Sequence, residues 1–180
     1  MNFTFVSMPR ASEKHCFKLW KKENPNEHGL ADYQTGYDWY FVIDSASKNI
    51  IGFVALHRHF LVPTSLEQIY VYPGHRHKGL SVAIRTALVK EFDLGALTIG
   101  KFIDNPAKLE RHRLVAEQSG FTKHYVVGTV DGNGFSIASD IFLRDDIGPE
   151  VYLRPFLAMP IGELNEQLRI QNEKGNHPVS

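Results

Sequence analysis

The chain has 180 residues, with 20 Lys and Arg balancing 20 Asp and Glu, and 43% hydrophobic residues. That length supports one domain with a real core and is short for two. The neutral balance gives no general electrostatic pull toward DNA, RNA or an acidic membrane surface. The single cysteine, Cys16, cannot close an internal disulfide, which points to a reducing compartment. Met1–Pro9 carries no basic, apolar leader, and no apolar run reaches membrane-spanning length, so a cytoplasmic protein is expected.

In chain order the elements are mixed. Phe3–Ser7 reads as a strand and Ala11–Glu23 as a helix, ended by Asn24-Pro25-Asn26. Leu30–Gly36 reads as a loop or short helix. Asp38–Asp44 and Ile50–His57 read as an antiparallel hairpin across Ser45–Asn49. Val62-Pro63-Thr64-Ser65 reads as a connection into a strand over Leu66–Tyr72. Leu80, Ala83, Ile84, Ala87, Leu88 and Phe92 recur at helical spacing, with Arg85 and Lys90 off that apolar face. Ala96–Ile103 reads as a strand and Pro106–Ser119 as a helix, with Asn105 as its N-cap and Gly120 as its stop. Lys123–Val130 and Phe135–Arg144 form a hairpin around Asp131-Gly132-Asn133-Gly134, and Ile161–Glu173 reads as a last helix. The expected organisation is one domain over 1–150 and a C-terminal extension over 151–180.

The segment with the most chemical content is Leu66–Phe92. A strand ends at Pro73-Gly74, a short basic loop follows, and an amphipathic helix begins just after Gly79. The first turn of such a helix exposes unpaired N–H groups, and its dipole favours negative charge. With Arg76, His77 and Lys78 around it, and Gly79 allowing close backbone approach, the junction is a site for a phosphate group.

Arg76-His77-Lys78-Gly79-Leu80-Ser81 resembles the Q/R-x-x-G-x-G/A motif of the GNAT superfamily of acetyl-CoA-dependent N-acyltransferases. The strand before it resembles the family's fourth strand. Asn105, a helix, and Gly120-Phe121 resemble the family's next helix-to-strand step. Two positions depart from the pattern: Ser81 stands at the last Gly/Ala position, and Ala116 stands where the family often has a tyrosine. The resemblance implies an α/β (α+β) fold, a mixed, mostly antiparallel sheet of about seven strands with helices on both faces. It also implies a splay between strands 4 and 5, here Leu66–Tyr72 and Ala96–Ile103.

Carried onto this sequence, the resemblance gives acetyl-CoA as co-substrate, its pyrophosphate on the amides of Arg76, His77, Lys78, Gly79, Leu80 and Ser81, with Asn105 nearby. The Val71 N–H would steady the tetrahedral oxyanion. Glu67 is the first candidate for the general base, with His57 and His59 as rivals. Tyr125 or Tyr72 could protonate the departing thiolate, which can also leave as the anion. The acceptor would be a small-molecule or peptide amine, with charged tRNA the one nucleic-acid exception. The tail from Val151 could cover the acceptor side or join two copies in a homodimer.

Other readings stay open. Nine histidines include His57-x-His59 and His75-x-His77, but no third ligand or Cys cluster accompanies them, so no metal is expected. Lys108, Arg111, His112 and Arg113 read as a solvated helix face or as contacts to the 3′-phosphate of coenzyme A. Besides an acyltransferase, the chain could be a degenerate GNAT domain that binds coenzyme A without turnover. It could also be an unrelated α/β module holding another phosphate ligand.

Overall fold

The computed structural model describes residues 1–25, 37–59, 62–100, 105–131, 134–150, 157–160 and 166. The expected loop at Leu30–Gly36 and almost all of the expected helix at Ile161–Glu173 lie outside them. The elements are β1 (Phe3–Ser7), α1 (Arg10–Glu23), β2 (Tyr37–Asp44), β3 (Ile50–His59), β4 (Val62–Val71), α2 (Leu80–Phe92), β5 (Ala96–Gly100), α3 (Pro106–Gln118), β6 (Lys123–Asp131), β7 (Gly134–Leu143) and β8 (Leu157–Pro160). A single turn of 3₁₀ helix, Pro73–His75, joins β4 to the basic loop.

The strands make one sheet in the order β1-β2-β3-β4-β5-β7-β6-β8. All ladders are antiparallel except β4–β5, which is parallel and spans only Ser65↔Ala96 and Leu66↔Leu97. β4 runs on to Val71 beside β3 alone, and β5 runs on to Gly100 beside β7. The two strands therefore part after Leu66 and Leu97, the expected splay.

The sheet of about seven strands is present, with Leu157–Pro160 adding one more at the outer edge of β6 through Gly128↔Leu157 and Tyr125↔Pro160. Two expectations are corrected. Val62–Ser65 belongs to β4 rather than to a connection. Pro63, which has no N–H to donate, fits there because the β5 ladder begins only at Ser65. Arg85 is buried instead of lying off the apolar face of α2.

The sheet has a core on each side. Val42, Val54, Leu56, Leu66 and Leu97 meet Leu80, Ile84 and Leu88 of α2 and Ala116 of α3. Trp39, Phe53, Ala55 and Tyr70 meet Cys16 and Trp20 of α1 on the other side. Side chains alternate along each strand, so β2 feeds Trp39 to the α1 layer and Val42 to the α2 layer. α3 starts as its sequence indicates, with the Asn105 side chain accepting from the Lys108 N–H at 3.2 Å. It ends at Gly120, whose φ of +86° needs glycine, while Phe121 N–H returns to the Ala116 carbonyl.

Gly52 sits opposite Val71, and a Cβ added to it would lie 2.1 Å from the Tyr70 carbonyl oxygen. Backbone atoms in a ladder cannot swing aside as a side chain can. Gly52→Ala is expected to destabilise the protein by about 1–3 kcal/mol, the usual scale of overpacking. Thermal melts should register this as a loss of about 2–4 °C per kcal/mol in a chain of this size.

Candidate active site

The fork between β4 and β5 organises the site. Tyr72 N–H bonds to the Ile51 carbonyl on the β3 side at 2.9 Å. By the alternation of an antiparallel ladder, Val71 then turns its N–H and C=O away from β3, toward the open fork. The Val71 carbonyl accepts from Arg76 Nε at 2.8 Å. Arg76 also donates through Nη2 to Glu23 at 2.7 Å, and its guanidinium lies 5.3 Å from the centre of the Tyr70 ring. Glu23 in turn accepts from the Tyr70 hydroxyl at 2.7 Å. The Tyr70 bond and Arg76 hold the Glu23 carboxyl below its ordinary range. The first motif residue is thus pinned to the end of α1 and the end of β4, with part of its charge neutralised by Glu23.

Beyond Arg76 the loop is open. His77 turns its Nδ1 to the Lys78 carbonyl at 3.2 Å, and His77, Lys78 and Gly79 are exposed. Gly79 is the N-cap of α2 in the left-handed region, at φ +83° and ψ −10°, and no side chain caps the helix. Leu80 N–H reaches the His77 carbonyl at 3.3 Å. Leu80 itself plugs into the core, which anchors the helix start against the sheet. Asn105 is engaged in capping α3.

Glu67 lies at the base of the fork. It is the sixth residue of β4, deeper than a strand starting at Leu66 would place it. Ladder pairs Ala55↔Gln68 and Leu56↔Leu66 flank it, so Glu67 is the extra residue of a β-bulge. Ser65 Oγ donates to Glu67 Oε1 at 2.5 Å, and Thr98 of β5 also bonds to the carboxyl. Burial pushes the Glu67 carboxyl above its ordinary range; the two hydroxyls and the nearby His57 act in the opposite direction. The His57 ring sits 5.5 Å from the Tyr37 ring, and burial followed by the Glu67 charge raises the Tyr37 phenol.

His57 and Glu67 are therefore neighbours, while the side chain of His59 lies outside the described residues. Tyr125 is partly buried against Ala96, Ile141 and Leu143. The registers Thr98↔Ile141 and Tyr125↔Ile141 put it two ladders from Thr98, about 10 Å across the sheet. Tyr72 packs near Tyr70 and Phe53 and shares a hydrogen bond with the Cys16 thiol, which keeps it in the α1 layer. Ala116 is buried in the α2 layer. Arg113 is tied to Glu110 at 2.6 Å and to Glu117, so it belongs to the solvated face of α3.

Some functional candidates escaped the sequence. Trp39 Nε1 and the Gln68 amide are buried without hydrogen-bond partners among the described residues. Both sit opposite the small Ala55, one on either side. Arg85 lies beneath the first turn of α2 and donates to Ser81. The i,i+4 spacing of Ser81 and Arg85 was the available signal for that pair; Trp39 stood out as one of the aromatic residues in segments able to form the acceptor side, and Gln68 had no signal.

No family model matches the chain, and no curated protein matches it in sequence. Solved structures do match in fold. One described as an acetyltransferase of the GNAT family, from Bacteroides thetaiotaomicron, aligns with a TM-score of 0.55 at 13% identity, covering 83% of this chain and 90% of that one. The aminoglycoside acetyltransferase AAC(6')-Ib in complex with coenzyme A aligns with a TM-score of 0.50 at 12% identity, covering 85% of this chain and 98% of that one. With the fork between β4 and β5 and the strand–loop–helix junction behind it, the chain has the fold of the GNAT superfamily.

Proposed function

We propose that the protein transfers an acetyl group from acetyl-CoA to a primary amine by direct attack in a ternary complex. The observation that carries this reading is the fork, with a desolvated carboxylate on β4 where β4 and β5 part, and an uncapped helix N-terminus behind a left-handed glycine just after the same strand. The neighbour with coenzyme A bound supports the cofactor. In the proposed complex, the pyrophosphate takes the amides from Arg76 to Ser81 and the pantetheine arm lies between β4 and β5.

The amine loses a proton, attacks the thioester carbonyl, and the C–S bond breaks to release the thiolate. Holding both substrates in register can supply about 7–11 kcal/mol at best. The Val71 N–H, facing the fork, steadies the oxyanion. Glu67 takes the amine proton; its raised affinity for protons brings it closer to neutral, where a general base works best. Tyr125 returns a proton to the thiolate, or the thiolate leaves unassisted. The amine enters on the α1 side, where His57 and Tyr37 stand beside Glu67. Residues 1–150 carry this chemistry, and 151–180 extend the sheet through β8. No described helix is long and apolar enough to cross a membrane.

One rival reading has an observation behind it. Ala116 leaves no phenol on α3, as a domain that binds coenzyme A without turnover would allow. Thiol release with a panel of amines separates the two.

Acetyl-CoA is expected to stabilise the protein by mass action, by about 2.7 kcal/mol at a hundredfold excess over Kd. Gly79 provides the control. Its Cβ position is open, so Gly79→Ala is expected to cost only the strain of φ +83°, about 1–2 kcal/mol without ligand. Gly79→Glu adds a charged side chain at the phosphate and should abolish the protection. Calorimetry that detects no binding at millimolar acetyl-CoA would sink the enzyme and its non-catalytic rival together.

For the base, only the deprotonated carboxylate can accept the amine proton. The rate should therefore rise with pH through a pKa above the ordinary carboxylate range. Ser65→Ala and Thr98→Val each remove a hydrogen bond that lowers that pKa, so the acid limb should move to higher pH. Glu67→Gln should lower kcat by roughly 10²–10⁴ and erase the limb. An active Glu67→Gln enzyme with an unaltered profile would discard Glu67 and shift attention to His57.

A further inference from the structure

Arg85 is the only basic side chain in the buried interior among the described residues, at 6% exposure. Its Nη1 donates to the Ser81 carbonyl at 3.3 Å and, at closer range, to Ser81 Oγ. Its Nε has no hydrogen-bond partner, and among the described residues no carboxylate pairs with it. The bond to the Ser81 carbonyl satisfies nothing the helix left open, because that carbonyl already receives the backbone N–H four residues on, from Arg85 itself. Burial draws the guanidinium pKa down to about 10, so it stays charged at neutral pH. Burial, and then the charges of Arg85, Lys108 and Arg111, draw the nearby His112 down to about 4. A buried, unneutralised cation is strongly unfavourable in a folded protein. Its side chain reaches back into the first turn of α2, whose N-terminus no side chain caps.

We propose that Arg85, oriented by Ser81, is the counter-charge for a phosphate group seated at the N-terminus of α2, making donor binding depend on that phosphate, since among the described residues no carboxylate neutralises the guanidinium. The naming of the ligand as an acyl donor rests on the acetyl-CoA reading; the anion site itself does not. Ser81 has a specific part here. A glycine or alanine at this motif position would offer Arg85 no hydroxyl acceptor, and the guanidinium would lose the contact that holds it under the first turn. The hydroxyl takes one N–H and leaves other donors of the planar fork for a phosphate oxygen. The site thus distinguishes a phosphate-bearing donor from a bare thioester arm.

The test compares wild type with Arg85→Met, using inorganic pyrophosphate, acetyl-CoA and acetyl-pantetheine, which lacks every phosphate. Without ligand, Arg85→Met should melt at a higher temperature than wild type, because an uncompensated charge has been replaced by an apolar chain of similar length. Its Kd for pyrophosphate and for acetyl-CoA should rise roughly ten- to a hundredfold, the usual effect of losing a hydrogen bond to a charged group. Affinity for acetyl-pantetheine should not change. A variant less stable than wild type, or one that binds pyrophosphate as wild type does, overturns the proposal. Ser81→Ala is a second arm that keeps the Arg85 charge in place: pyrophosphate affinity should fall several-fold, and an unchanged value overturns the part given to Ser81. If wild type binds pyrophosphate but not acetyl-CoA, the acyl-donor reading fails and the anion site stands. If neither ligand binds wild type, both fail.

Discussion

Two residue pairs hold β4 to β5, and the strands then part. A parallel ladder this short gives the sheet little cohesion at its centre, so the two halves must be joined by other means. The α2 layer does that. Leu80, Ile84 and Leu88 of α2 pack in one cluster with Leu66 of β4, Leu97 of β5, Phe121, and Phe142 of β7. Burying such side chains is worth about 1.5–3 kcal/mol each, far more than the missing strand pairs would add. The price of the fork is a row of backbone groups along β4 with no strand beside them. Arg76 covers one, the Val71 carbonyl, and the Val71 N–H is left facing the opening. An edge of this kind inside a sheet is a liability in a structural protein and an asset where an extended substrate must lie between strands.

Burial acts on two charged groups, one beside the fork and one under the first turn of α2. Glu67 at the base of the fork is pushed toward the protonated form by burial, while Arg85 under the start of α2 is pushed toward the neutral form by the same cause. The two are not partners. Glu67 is surrounded by hydroxyls, an imidazole and a phenol; Arg85 bonds to Ser81 and acts on His112. Packing alone would favour apolar residues at both positions, because burying a lone charge loses more hydration energy than its hydrogen bonds return. Glu23 and Arg76 show the contrasting case. They satisfy each other at the surface, where such a pair is worth little in stability, and their effect is to fix where the loop leaves β4.

The sequence carried most of the framework and little of the site's second layer. The α2 face, the Asn105 cap and the Gly120 stop were legible because each is a local pattern, written within a turn or two of helix. The fork was legible only through the family resemblance, since nothing in Leu66–Val71 or Ala96–Gly100 alone says which strands pair. Pro63 misled the reading of β4, because proline ends strands that have neighbours on both sides and not those with one free edge. Arg85 misled the reading of α2. Its spacing places it at the border of the apolar face, and a charged residue at a border defaults to solvent unless something draws it in. The surroundings of Glu67 were out of reach altogether. They come from Tyr37, His57 and Thr98 on three other strands, and the Glu23–Arg76 pair spans 53 positions.

The bulge at Glu67 ties these features together. In a regular strand Leu66 and Gln68 would share a face, but Leu66 lies opposite Leu56 in the α2 layer and Gln68 opposite Ala55 in the α1 layer. One extra residue therefore shifts the alternation of β4 by one position at the point where β5 turns away. Before the bulge Leu66 faces the α2 layer; after it Ile69 and Val71 face that layer, Tyr70 faces the layer packed on α1, and Val71 has its amide free. The same extra residue sets the carboxylate of Glu67 between Ser65 and Thr98 at the floor of the opening. Closing the ladder to regular pairing would restore two or three hydrogen bonds' worth of strand contact, on the order of 1 kcal/mol each. It would also turn Leu66 or Tyr70 out of its core, at a larger cost for either side chain. The bulge, and with it the position of the carboxylate, is consequently held by the two hydrophobic layers rather than by any contact Glu67 makes itself.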